Sequence, residues 1–190
     1  RFNVYLTKEK ANILNKYFKN VIPLGEISYT LQGIIAGNEK KYISNTIQQR
    51  ENGNEYPFIV CDKRKKKYVG STRLYSFNQL NNTANLGYTW YGKESHGNGT
   101  NKNCKYLLLE FAFEKIGIER VGFGASNLNE KSINAMKSIM CKVDGVFWNY
   151  CFDNYGNRID AIFLSILKTE WFDNVKENLK IKIAHYSKAQ

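Results

Sequence analysis

The sequence predicts an α+β domain, a mixed and mostly antiparallel sheet flanked by helices, and three observations carry that reading. Three strand-like segments follow one another around short turns between Pro57 and Tyr91. The third runs through a polar, glycine-containing loop straight into an amphipathic helix, and the remainder reads strand, helix, strand, strand. A doubly wound sheet would instead alternate strand and helix throughout.

The elements follow in order. Thr7–Phe18 has a helical pattern with Thr7 as its cap, and Asn38–Arg50 is a second helix with Tyr42, Ile43 and Ile47 on one face. Pro57–Cys61 and Tyr68–Tyr75 read as strands around the run Lys63-Arg64-Lys65-Lys66-Lys67, a solvated hairpin tip. Asn81-Asn82 marks a turn before a third strand, Asn85–Tyr91. The loop Ser95–Thr100 opens a helix over Asn101–Ile116, its apolar stripe read as Leu107, Leu108, Phe111 and Ala112, with Gly117 ending it. A strand at Arg120–Ala125, a helix at Asn129–Ile139 and a hairpin of Val143–Phe152 and Ile159–Leu167 around Asn154-Tyr155-Gly156-Asn157 follow. Thr169–Leu179 is the last helix, and Lys180–Gln190 reads as a polar tail that frays. No repeat or linker interrupts the plan. Residues 1–190 are expected to form one domain, with a core over about 57–171 and an N-terminal helical region over 7–50.

Composition narrows the function. No apolar run approaches the ~18 residues of a membrane span, and the first residues lack the basic-then-apolar pattern of a signal peptide. A cytoplasmic protein without a membrane partner is expected. Four scattered cysteines and two histidines offer no zinc spacing, so no metal and reduced, mostly buried thiols are expected. The net charge of +11 invites a nucleic-acid partner, but the lysines are spread along the chain, so such a partner is not expected.

The chemistry concentrates where the third strand meets the helix. A helix N-terminus presents unpaired N–H groups and the positive end of its dipole, and so binds phosphate. Gly97 and Gly99 let the backbone approach an anion, and Lys102 and Lys105 bring cationic side chains to the first turns. No Gly-Lys-Ser/Thr follows, so the loop is not a P-loop.

Around this unit the chain resembles the GNAT superfamily of N-acetyltransferases, in particular its branch acting on the alanine termini of ribosomal proteins (RimJ/RimL-type). The coenzyme loop, Gln/Arg-x-x-Gly-x-Gly/Ala, falls on His96-Gly97-Asn98-Gly99-Thr100-Asn101. The wider likeness lies in Val69-Gly70-Ser71-Thr72-Arg73-Leu74, Gly87-Tyr88-Thr89-Trp90-Tyr91, Lys105-Tyr106-Leu107-Leu108-Leu109, Phe111-Ala112-Phe113-Glu114, Glu119-Arg120-Val121, Asn129-Glu130-Lys131-Ser132 and Lys142-Val143-Asp144-Gly145-Val146.

The resemblance implies a bacterial-type acyltransferase that passes an acetyl group from acetyl-CoA to a primary amine, a protein N-terminus or a small amine. The CoA pyrophosphate would face the backbone of Asn98, Gly99, Thr100 and Asn101, with His96, Gly97 and Lys102 beside it. The pantetheine arm would run along Trp90-Tyr91-Gly92, with Asn129 bonding it and Ser132 protonating the departing thiolate. A strand N–H near Tyr91 would stabilise the oxyanion, and Glu94 is the candidate base. Each role has a plainer counterpart: Asn129 as a helix cap, Ser132 as an early-helix polar residue, Glu94 as a surface carboxylate. The chain departs from the family pattern at Asn101, Ser126, Met140 and Trp148, where Gly or Ala, an acid, Gly and a basic residue are usual. A non-catalytic CoA-binding or interaction module of the same fold is therefore the alternative, and an RNA-associated binder the third reading. The acceptor has no legible signature, and oligomeric state is open, a homodimer included.

Overall fold

The computed structural model describes residues 39–188 except Asn154. The helix expected over Thr7–Phe18 lies outside the described residues. The helix α1, Glu39–Glu51, precedes three strands, β1 (Glu55–Asp62), β2 (Lys67–Asn78) and β3 (Thr83–Tyr91). Helix α2 comprises Thr100–Glu110 and a wider, π-type continuation, Phe111–Ile116. Strand β4 (Arg120–Ser126), helix α3 (Glu130–Ser138) and the hairpin β5 (Lys142–Phe152) and β6 (Arg158–Leu167) follow. The last helix, α4, runs from Lys168–Glu170 through Trp171–Val175 to Lys176–Lys188. None of the described helices is long and apolar enough to cross a membrane.

The sheet order is β1-β2-β3-β4-β6-β5. Every pairing is antiparallel except β3 with β4, which α2 connects as a crossover. That parallel pairing is short: Thr83 with Arg120, Ala84 with Val121 and Asn85 with Gly122. Beyond it β4 stays with β6 as far as Ser126 against Ala161, while β3 continues to Tyr91 paired with β2 only. The last contact is tight, since a Cβ on Gly122 would lie 2.3 Å from Asn85 Oδ1. The two strands then part, and a cleft opens between them.

A bulge against β2 shapes the stretch of β3 past β4. Ser71 pairs with Trp90 and Arg73 with Gly87, so Thr72 alone faces both Tyr88 and Thr89. Tyr88 takes φ 50, left-handed and unusual for a bulky residue. Bulges of this kind bend and twist their strand and re-aim the side chains beyond it.

The core fills the space between one face of the sheet and helices α2 and α4. Leu74, Leu86, Leu109, Phe113, Val121, Leu164, Ile166, Trp171 and Leu179 are fully buried there. Trp171 anchors the α4 side: its Nε1 donates to Glu114 Oε1 (2.8 Å) and its ring lies over Phe113 and Tyr106. On the opposite face Arg73 pairs with Glu55, donates to Thr46 Oγ1 of α1 (3.0 Å) and lies over the Tyr88 ring.

Two expectations need correction. Leu107 is 62% exposed, and the buried stripe of α2 is Cys104, Lys105, Leu108, Leu109, Ala112, Phe113 and Ile116. A lysine thus occupies a position that periodicity would give to an apolar residue. The tail from Lys180 is helical, not frayed, over its described residues. Its helix continues to Lys188, because Lys182 Nζ donates to Ser138 O (2.8 Å) and Tyr186 packs on the loop before α2.

Elsewhere the local signals hold. Gly117 takes φ 79 as a C′ residue, and Asp153 Oδ1 accepts from the amides of Tyr155 and Asn157 in the β5–β6 turn. Met140 makes its turn at φ 70 with the backbone a glycine would supply. Lys63, Arg64, Lys65, Lys66 and Lys67 are exposed at the β1–β2 tip. Of the four free cysteines, Cys104 and Cys141 are buried, Cys61 is exposed and Cys151 is half-buried.

Candidate active site

Strand β3 ends at Tyr91, and the chain makes one short helical turn at Lys93–Ser95, closed by Ser95 N–H to Gly92 O (2.9 Å) and His96 N–H to Lys93 O (3.1 Å). Gly97 (φ 72) and Gly99 (φ 85) then take left-handed conformations, which glycine alone adopts without strain. Asn98 ties the loop together. Its Oδ1 accepts from Thr100 N–H (3.1 Å) and Thr100 Oγ1 (2.7 Å), and its Nδ2 donates to Glu94 O (3.3 Å). Helix α2 begins with Asn103 N–H donating to Gly99 O (3.0 Å).

The amides ahead of that bond belong to the open end of the dipole, and the first turn of α2 carries no acid. One amide expected to face an anion, that of Thr100, is occupied by Asn98. Gly99 is buried, and a Cβ there would lie 2.8 Å from the Tyr186 ring. Lys102 reaches across to Tyr186, its Nζ 3.2 Å from the hydroxyl. Tyr186 therefore braces both the glycine and the lysine of the loop.

His96 sits between the strand and α3. Its Nε2 is 3.0 Å from Tyr91 O, and its Nδ1 is 3.5 Å from Lys131 Nζ. A carbonyl only accepts and an ammonium only donates, so Nε2 carries the proton and Nδ1 accepts. Lys131, absent from the sequence reading as a cation of the site, thereby joins the loop. Glu94 is exposed and folds back over Gly92, where an added Cβ would lie 3.1 Å from its Oε2. The Gly92 N–H is engaged with Val69 O (2.9 Å).

The expected cleft residues divide between wall and interior. Tyr91 turns inward: its hydroxyl donates to Asn101 Oδ1 (3.3 Å), and burial beside Cys104 pushes its phenol far above the ordinary value. Trp90 pairs with Ser71 of β2 on the stretch of β3 that has left β4, and its buried Nε1 has no hydrogen-bond partner among the described residues. An unmade bond of this kind costs about 1–3 kcal/mol. On α3, Asn129 Oδ1 accepts from Ser132 N–H (3.0 Å), the bond of a helix N-cap. Asn129→Ala should accordingly cost about 1 kcal/mol of unfolding free energy in urea, leaving β3 and its loop intact.

Lys105 departs furthest from expectation. It is 5% exposed, and its ammonium points away from the loop into the core. Nζ donates to Thr89 Oγ1 (2.7 Å) and Thr72 Oγ1 (3.4 Å) and lies 5.8 Å from the centre of the Phe123 ring. Burial lowers its pKa to about 8, a shift the neighbouring Cys104 and Cys141 thiols only partly oppose.

Comparisons with known proteins show the family and the fold. The family model described as an acetyltransferase (GNAT) domain matches residues 26–142. The Bacillus subtilis protein YdaF, named for a proposed ribosomal N-acetyltransferase activity, is 32% identical over 102 residues, 54% of this chain and 55% of YdaF. The match thus spans only about half of that relative. An uncharacterized N-acetyltransferase of Bacillus licheniformis, p20, is 22% identical over 171 residues, 86% of this chain and 90% of p20. Among solved structures, a GCN5-related N-acetyltransferase from Brucella melitensis superposes with a TM-score of 0.71 at 18% identity, covering 93% of this chain and 78% of that one. The spermidine/spermine N-acetyltransferase SpeG from Vibrio cholerae gives 0.61 at 17%, covering 71% and 78%. At these identities the likeness is one of fold.

Proposed function

We propose, from the premise that this chain belongs to the GNAT acetyltransferase family, that it transfers an acetyl group from acetyl-CoA to a primary amine, either a small amine or a protein N-terminus. The observation that carries the reading is the course of β3, which parts from β4 and leads through two left-handed glycines into an acid-free helix start.

That arrangement fits a bound CoA. The first amides of α2, with Lys102, His96 and Lys131 around them, suit a pyrophosphate. The stretch Trp90-Tyr91-Gly92, paired with β2 on one edge and past β4 on the other, suits the pantetheine arm, and the unpartnered Trp90 Nε1–H is a donor that a carbonyl oxygen of the arm or thioester would satisfy. Asn129, which caps α3, is the proposed hydrogen-bond partner of the arm.

The acceptor attacks as the free amine, its lone pair forming the new C–N bond while negative charge collects on the thioester oxygen. A strand N–H near Tyr91, other than that of Gly92, stabilises that oxyanion. Collapse breaks the C–S bond, and Ser132, in the first turn of α3, gives the thiolate its proton. Glu94 or an ordered water takes the proton that the acceptor nitrogen loses.

Ser132→Ala tests the donor. It should lower kcat by about 10- to 100-fold with acetyl-CoA affinity and Tm near the parent's, because charge appears on sulfur only late in the reaction. An unchanged kcat would reduce Ser132 to a helix-start residue, and a collapse of Tm or affinity would make its role structural. The overall reading is tested by following thiol release from acetyl-CoA against a panel of primary amines. Tight acetyl-CoA binding without turnover of any of them would point to a binding module instead.

A further inference from the structure

We infer that Lys105 is a positioning residue for this reaction: from inside the core it holds the bulged backbone of β3 where that strand leaves β4, and it sets a positive charge beneath that backbone. The inference rests on the acetyltransferase reading above.

Its contacts mark the place. Thr72 is the β2 residue opposed by two residues of β3, and Thr89 is the residue immediately after the left-handed Tyr88. Phe123 is the first residue of β4 past the last β3 pair. The ammonium therefore touches all three strands at the apex of the cleft. The hydroxyls it meets hold the bulge from within, Thr72 Oγ1 lying 2.8 Å from Thr89 Oγ1 and 3.2 Å from Gly87 O.

The fold does not require this lysine. Its neighbours along the buried stripe, Leu108, Leu109 and Ala112, are apolar, and among the described residues its ammonium bonds hydroxyls and no carboxylate. Thr72 and Thr89 can bond each other and Gly87 O without it. Burying an ammonium costs stability, so the return is to be sought in the site above it. There the attacking amine drives negative charge onto the thioester oxygen. A fixed cation in the low-dielectric interior favours that charge, and Thr89 transmits its position to the strand.

Lys105→Met keeps the length and removes the charge. The expected result is a higher Tm, acetyl-CoA affinity within about threefold of the parent, and kcat lower by about 10- to 100-fold. At saturating amine, the parent's kcat should fall with an apparent pKa near 8 and the variant's should not. The groups packed about Lys105 do not supply that fall. Burial raises the thiols of Cys104 on α2 and Cys141 before β5, the latter to about 12, and it raises the Tyr91 phenol on β3, while Thr72, Thr89 and Phe123 do not ionise in this range. Thr89→Val should reproduce the loss of kcat without the gain in Tm, and the double variant should lose no more than either single one.

A variant with raised Tm and unchanged kcat would overturn the inference, as would Thr89→Val with full activity or loss of Tm and acetyl-CoA affinity together in Lys105→Met. A parent that binds acetyl-CoA but turns over no amine would instead overturn the acetyltransferase reading, and this role with it.

Discussion

Lys105→Met should make the protein more stable at neutral pH by about 2–3 kcal/mol, an unusual sign for a substitution of a hydrogen-bonded core residue. The cause is the cost of keeping an ammonium among apolar side chains, which lowers its pKa from 10.5 to about 8. By linkage, a difference of that size between folded and unfolded chains corresponds to roughly 3 kcal/mol. Because the folded-state value is depressed and the group is a base, the penalty is present in full below about pH 8. Between about pH 8 and 10.5 the folded protein sheds the proton before the unfolded chain does, and this contribution raises stability as pH rises. The advantage of Lys105→Met, measured by urea unfolding, should therefore be largest near pH 7 and shrink by pH 10. A variant that is less stable than the parent at pH 7 would show that the bonds to Thr72 and Thr89 outweigh the cost of burial.

Gly99→Val should weaken acetyl-CoA binding by more than about 100-fold. Sequence reasoning places the new side chain where a phosphate would sit, and the structure adds a second cause. At φ 85 a β-branched residue is strained, and the first added carbon meets the Tyr186 ring at 2.8 Å. The loop must shift, and with it the first amides of α2, at a cost in stability of about 2 kcal/mol. Gly97→Ala is the control. It sits at φ 72, but an added Cβ meets nothing within 4 Å, so it should cost only about 1 kcal/mol and leave more of the affinity. Isothermal titration separates the two. Equal losses at both glycines would mean that φ alone, not the Tyr186 contact, governs the loop.

The sheet and the loop are legible in the sequence because their signals are local. Strand-like runs separated by short turns mark β1 to β3, Asn129 marks the start of α3, Asn154-Tyr155-Gly156-Asn157 marks the hairpin turn, and the glycines before α2 mark a helix start open to anions. The features that were missed depend on distant residues. The expected stripe residue Leu107 is exposed, and Lys105, expected to bring its cation to the loop, lies in the core instead. Its true neighbours, Thr72 and Thr89, come together only through a bulge that no local pattern announces. The continuation of α4 was hidden by a lysine-rich tail of weak amphipathicity, whose order comes from Tyr186 against Gly99 and Lys182 on Ser138. Lys131 carries no local signal, because the partner that brings it to the loop, His96, lies 35 residues away in sequence.

The most direct test of the central claim, that the β3–α2 junction is an acetyl-CoA site, is a thermal unfolding series with acetyl-CoA. A ligand that binds only the folded state at a hundredfold excess over Kd adds about 2.7 kcal/mol, which for a chain of this size raises Tm by roughly 5–10 °C. The gain should be lost in Gly99→Val and should be far smaller with an adenine dinucleotide such as NAD. A Tm unmoved by millimolar acetyl-CoA would contradict the account.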